Sequence, residues 1–123
     1  MRSRNIRESF RFAFSGLWYA LRTQRNVRIH LIIAAGVVAL GLWLGLSPTL
    51  WAVLALTIGF VLASEMLNTV AEALVDLVSP GYHPLAKMVK DVTAGAVLLA
   101  SIISAIVGLL VLGPPLWAWL FRE

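Results

Sequence analysis

Two stretches without a charged side chain, residues 31–63 and 92–121, decide what this chain of 123 residues can fold into. Each is longer than the roughly 20 apolar residues that cross a bilayer as a helix. Backbone in hydrocarbon must bond to itself, so such runs are helical rather than irregular. The first run is too long for one crossing, and Ser47, Pro48 and Thr49 interrupt it. Serine suits the cap of a new helix and proline its first turn, so a tight hairpin is expected here. Trp43 and Trp51 flank the turn, as interfacial tryptophans do.

Composition agrees. Hydrophobic residues make up 60% of the chain and charged ones 13%, which excludes an ordinary soluble domain. With no cysteine, there is neither a disulfide framework nor a thiolate metal site. Seven of the eight arginines fall in the first 28 residues. Beside membrane spans, such a basic arm points to anionic headgroups and topology, not to nucleic acid.

Residues 1–28 lack the apolar core and cleavage site of a secretory signal. Ile6, Phe10, Phe14, Leu17, Trp18 and Leu21 recur at helical spacing, with Arg4, Arg7, Glu8, Arg11, Ser15 and Arg22 on the other side. That pattern predicts an amphipathic helix lying in the interface. The expected fold class is an all-α membrane protein: one domain, 1–123, with the interfacial helix over 1–26 and spans over 27–46, 49–77 and 85–112. Gly113, Pro114 and Pro115 are expected to stop the third span, leaving 116–123 as an interfacial tail. Gly41 and Gly45 form a small-xxx-small pair, and Ala96, Ala100, Ser104 and Gly108 a stripe of small residues, both suited to close helix contact. The turn at 47–49 has no basic residue, whereas the arm and the 79–90 segment hold nearly all of them. The positive-inside rule therefore places the N-terminus and the second loop in the cytoplasm.

Polar residues in so apolar a chain are costly and mark function. Glu65, Asn68, Glu72 and Asp76 follow one another at intervals of 3, 4 and 4, one face of a helix. The ladder occupies the last third of the second span, near its cytoplasmic end. Carboxylates a turn or two apart suit a hard cation such as Mg²⁺ held together with substrate phosphates. A lysine nearby, Lys90, suits a phosphoryl group. Neither a Gly-rich phosphate loop nor zinc-type spacing occurs. His30, at the base of the first span, reads as a packing or interface histidine. This chemistry suggests phosphate transfer to a lipid. An ion-coupled transporter relaying protons through Glu65 and Glu72, or a purely structural membrane protein, stays open at this point.

The order of the residues is more specific than their types. Glu65, Asn68, Thr69, Glu72 and Asp76 match the pattern Glu-x-x-Asn-Thr-x-x-Glu-x-x-x-Asp, followed by Tyr82, His83, Lys90 and Asp91. This resembles the small bacterial diacylglycerol kinase family. Arg25, Asn26, Val27, Arg28, Ile29 and His30 resemble the Arg-Asn-Phe-Arg-Ile-His element of its undecaprenol kinase branch. The resemblance implies a homotrimer in the bacterial plasma membrane, with active sites between protomers at the cytoplasmic face. It also implies transfer of the γ-phosphate of Mg·ATP to a lipid alcohol, undecaprenol ahead of diacylglycerol. By position, Glu65 would be the general base and Glu72 a Mg²⁺ ligand. Lys90, Asp91, Tyr82 and His83 would bind nucleotide, and Asn68 and Asp76 would orient the site. Many members carry a second metal-binding glutamate just before the Arg-Asn element. Gln24 stands there in this chain, so weaker or differently shared metal binding is expected.

Overall fold

The computed structural model describes residues 5–122; what the sequence suggests for residues 1–4 and 123 lies outside them. The described chain is four helices: α1 Ile6–Thr23, α2 Arg25–Leu44, α3 Pro48–Val78 and α4 Pro84–Leu120. The last three are long and apolar enough to cross a membrane. Large apolar side chains stand exposed along all of them, the surface of a protein whose solvent is lipid.

Each helix end has a local cause. The Asn5 side chain accepts from the Glu8 amide at 3.0 Å and caps α1. The single residue Gln24 is extended (φ −106°, ψ 109°) and separates α1 from α2. Across this break, Arg28 Nη1 donates to the carbonyls of Leu21 at 3.0 Å and Arg22 at 2.9 Å. A cation there satisfies orphan carbonyls and complements the negative end of α1. Ser47 accepts from the Leu50 amide at 3.3 Å, with Pro48 in the first turn of α3. His83 caps α4 in the same way, Nδ1 accepting from the Leu85 amide at 3.1 Å.

The glycines of the expected small-xxx-small pair meet separate needs. Gly41 is buried, and a Cβ there would lie 2.8 Å from Cη2 of Trp51. Its missing side chain lets the Trp51 indole sit directly on α2. Gly45 ends α2 in the left-handed region (φ 69°, ψ 52°), which glycine adopts without steric cost.

The hairpin turn makes α2 and α3 antiparallel, and α3 with α4 forms the most extensive helix pair. Leu54, Val111 and Leu112 form a buried cluster at the turn end, with Leu44, Leu50, Trp51 and Val107 packed around it. Ala100 of the small-residue stripe is buried, Ser104 and Gly108 are half-buried, and Ala96 is exposed. The stripe therefore serves packing within the protomer along only part of its length.

The expected stop at Gly113 does not occur. α4 runs through Pro114 and Pro115 to Leu120, 37 residues or about 55 Å. Proline usually ends a helix because its ring crowds the preceding residue and it has no N–H to donate. Gly113 has no Cβ to be crowded. Continuing the helix also carries Trp119 onto Trp43 of α2, ring centroids 4.6 Å apart and tilted by 59°. The tail is thus the last turns of α4, held against the hairpin end.

Candidate active site

The N-terminal end of α2, the C-terminal end of α3 and the N-terminal end of α4 lie together, opposite the Ser47 turn. At 1.5 Å per residue, Glu65 is about 26 Å along α3 from Pro48, near the far edge of a hydrocarbon layer about 30 Å thick. The acidic ladder climbs from there. Burial falls along it: Glu65 is 3% exposed, Asn68 half-buried, and Glu72 and Asp76 exposed.

Glu65 is the one buried charged side chain among the described residues. It points back against α2, where Nε2 of His30 lies 3.2 Å from its Oε1. The contact has the distance of an ion pair but not the alignment of a hydrogen bond, and Oε1 has no hydrogen-bond partner. His30, which the sequence suggests is a packing or interface histidine, thus packs on α3 at its buried carboxylate. One signal could have found it. Pro48 marks the hairpin, His30 is 18 residues before it and Glu65 17 after, so antiparallel helices bring the two level.

Asn68 Nδ2 donates to Glu72 Oε1 at 3.4 Å, a long bond that ties adjacent turns of the ladder. Its Oδ1 is buried without a partner. Thr69 Oγ1 returns to the Glu65 carbonyl at 2.9 Å. Asp76 sits where the helix dipole disfavours an anion, and Lys90 of α4 answers it, Nζ donating to Oδ1 at 2.7 Å.

Lys90 and Asp91 are neighbours with different partners, since Asp91 receives Lys87 at 2.5 Å one turn away. Asp76, Tyr82, His83, Lys90 and Asp91 nevertheless line one open depression of about 410 Å³, together with Lys87. Tyr82 is fully at the surface, while the His83 side chain is occupied in capping α4. Gln24 stands apart from this depression, its Nε2 donating to Thr23 Oγ1 at 3.2 Å.

No three His, Cys, Asp or Glu side chains gather into a metal cluster among the described residues. Glu72 offers an exposed carboxylate, steadied by the Asn68 amide, and a hard cation such as Mg²⁺ commonly takes one or two carboxylates and completes its shell with water and phosphate rather than with a full protein cage. On the membrane side, an apolar groove of about 290 Å³ runs between α1, α2 and α3, lined among others by Phe14, Trp18, Leu31, Leu62 and Met66. Met66 is the residue next to Glu65.

Comparison with known proteins fits this arrangement. The family model for prokaryotic diacylglycerol kinase matches residues 11–112, which include both faces of the site. A diacylglycerol kinase of Synechocystis is 50% identical over 113 residues, 91% of this chain; the chain spans 65% of that protein's length. An undecaprenol kinase of Bacillus subtilis is 42% identical over 109 residues, 89% of each chain. A diacylglycerol kinase of Escherichia coli K12 is 28% identical over 95 residues, 77% of this chain and 78% of its own. A membrane protein of three long apolar helices with an acidic ladder at one end, this chain belongs to the prokaryotic diacylglycerol kinase family.

Proposed function

We propose that the protein is an ATP-dependent lipid kinase that phosphorylates a membrane alcohol, undecaprenol ahead of diacylglycerol. The observation that carries this reading is the ladder itself. A buried carboxylate with an unpaired oxygen lies at its inner end, and exposed acids and lysines lie at its outer end. The names of the relatives supply the class of acceptor. The Arg25 to His30 element favours undecaprenol.

In this mechanism the apolar groove beside Met66 takes the lipid chain and presents its hydroxyl to Glu65. Glu65 accepts the hydroxyl proton as the alcohol oxygen forms its bond to the γ-phosphorus. The bond from that phosphorus to the β-phosphate oxygen breaks, and ADP leaves. Lys90 turns its charge from Asp76 to the phosphates, and Tyr82, His83 and Asp91 line the nucleotide side. In-line transfer of this kind needs positioning and charge neutralisation more than covalent chemistry.

Glu72 and Gln24 would hold Mg²⁺, with Asn68 steadying Glu72 and Asp76 steadying Lys90. When bound, the ion neutralises charge on the phosphate oxygens. Gln24 enters on the family resemblance: it stands in the extended break before α2, at the same end of the molecule as Glu72. An amide oxygen there lacks the charge of a glutamate.

The proposed assembly is a homotrimer in the bacterial plasma membrane, with N-terminus and active site cytoplasmic and α1 lying amphipathically in the interface. Its support is the family resemblance, the basic residues gathered at the Glu65 end and the two faces of α1. The test is labelled ATP and Mg²⁺ with the purified protein and either lipid alcohol. Labelled lipid phosphate is expected, and Glu65→Gln should abolish it while leaving the assembly intact. Collapse of a proton gradient without nucleotide, and no lipid phosphate, would establish a transporter instead.

A further inference from the structure

Burying a carboxylate is costly unless a proton donor accompanies it. Glu65 is 3% exposed, and its neighbours on the inward side of α3 are Val61 and Leu62. Three of the cations at this end are engaged elsewhere: Lys90 on Asp76, Lys87 on Asp91, and Arg28 on the carbonyls of Leu21 and Arg22. Among the described residues, His30 is the basic side chain within ion-pair distance of Glu65.

His30 is itself held in a defined place. It lines a small, mostly apolar cavity with Ala34, Thr57, Val61, Ser104 and Gly108, so α2, α3 and α4 all bound it. From α3 the ionisable group facing it is Glu65. The α4 residues on that cavity, Ser104 and Gly108, carry no charge, and no charged side chain of α1 lines it.

We infer that His30 is the positioning residue of the Glu65 carboxylate. The inference rests on the reading of Glu65 as the base. With a proton on Nε2, His30 sets a positive edge 3.2 Å from Glu65, close but not aligned as a hydrogen bond, and keeps the carboxylate turned into the protein. Oε1 is buried without a hydrogen-bond partner, so it keeps capacity for a donor, which on this reading is the acceptor hydroxyl once the lipid is bound. His30 does not touch the substrate. It sets the direction from which Glu65 meets the hydroxyl, and a positional error of about 1 Å at such a group costs about 100-fold in rate.

The experiment compares wild type, Glu65→Gln, His30→Phe, His30→Gln, His30→Ala and the double variant His30→Phe/Glu65→Gln, each as the full chain in lipid with Mg·ATP and undecaprenol. His30→Phe should lower kcat by about 100-fold with both KM values within about twofold, since only the step after binding is touched. His30→Gln places an N–H near the same position and should keep at least about a fifth of the wild-type kcat. Added imidazole should restore activity to His30→Ala. The double variant should be no slower than Glu65→Gln alone, because the two residues act as one unit.

The inference is overturned if His30→Phe stays within about threefold of wild type. It is equally overturned if neither glutamine nor imidazole restores what phenylalanine or alanine removes, since the histidine would then be structural. If wild type phosphorylates no lipid alcohol, the functional reading fails and the inference with it. An active wild type, a dead Glu65→Gln and an unaffected His30→Phe would sink the inference alone.

Discussion

Lys90 reaches back across the α3–α4 loop to donate to Asp76, 14 residues earlier, at 2.7 Å. Both side chains are well exposed, 43% for Lys90 and 67% for Asp76. An ion pair in that setting adds little to stability. Its consequence is positional: the lysine is held at the mouth of the aqueous depression. Lys90→Met should therefore lower kcat/KM for ATP by about 100-fold, while Asp76→Asn, which keeps the cation but frees it, should cost about tenfold. Thermal midpoints of both variants should match wild type. Steady-state kinetics beside a melting curve checks this, and a large loss of stability would contradict it.

Metal dependence should follow the charge at the level of Glu72. Gln24→Glu should lower the Mg²⁺ concentration for half-maximal rate, and Glu72→Gln should raise it by about tenfold or more. Titrating Mg²⁺ at fixed ATP excess reads both. An unchanged midpoint in Gln24→Glu would remove residue 24 from the metal site.

The two glycines before the hairpin should fail in different ways. Gly41→Ala drives a methyl to 2.8 Å from a Trp51 ring atom, overpacking that costs about 1–3 kcal/mol. Shortening the ring in Gly41→Ala/Trp51→Leu should recover part of it. Gly45→Ala meets no neighbour but keeps a φ of 69°, at a cost of about 1 kcal/mol that no change at Trp51 relieves. Unfolding in detergent gives these values.

Trp119→Ala should loosen the last turns of α4 and leave catalysis alone. The Trp43–Trp119 pair contributes about 0.5–1.5 kcal/mol beyond its packing area, at the end of the molecule opposite Glu65. Faster hydrogen exchange or proteolysis after Pro115, with activity within about twofold of wild type, is the expected result. A large loss of activity would mean that the tail communicates with the site.

Legibility in the sequence follows the range of the interaction. Ser47 and Pro48 act within one turn, so the hairpin was readable from their identities. The ladder was readable because helical spacing alone aligns its members. His30 was not, because its partner lies 35 residues away and only the hairpin count connects them. Adjacent helical residues diverge by about 100°, so the separate partners of Lys90 and Asp91, and the Lys87–Asp91 pair one turn apart, follow a rule already present in the sequence. Pro114 and Pro115 misled for the opposite reason. A local rule for breaking helices yields here to Gly113 and to the seat that Trp43 offers Trp119.

The length of α3 has a last consequence. Its 31 residues make about 46 Å, some 16 Å more than the oily layer needs. If the surplus stands on the Glu72 side, the boundary between oil and water passes through the ladder, with Glu65 at the shoreline and Asp76 above it. On the proposed reading, a reactant that dissolves only in fat and one that dissolves only in water can then meet without either leaving its own medium. The helix need not carry anything across; it only has to be long enough to belong to both.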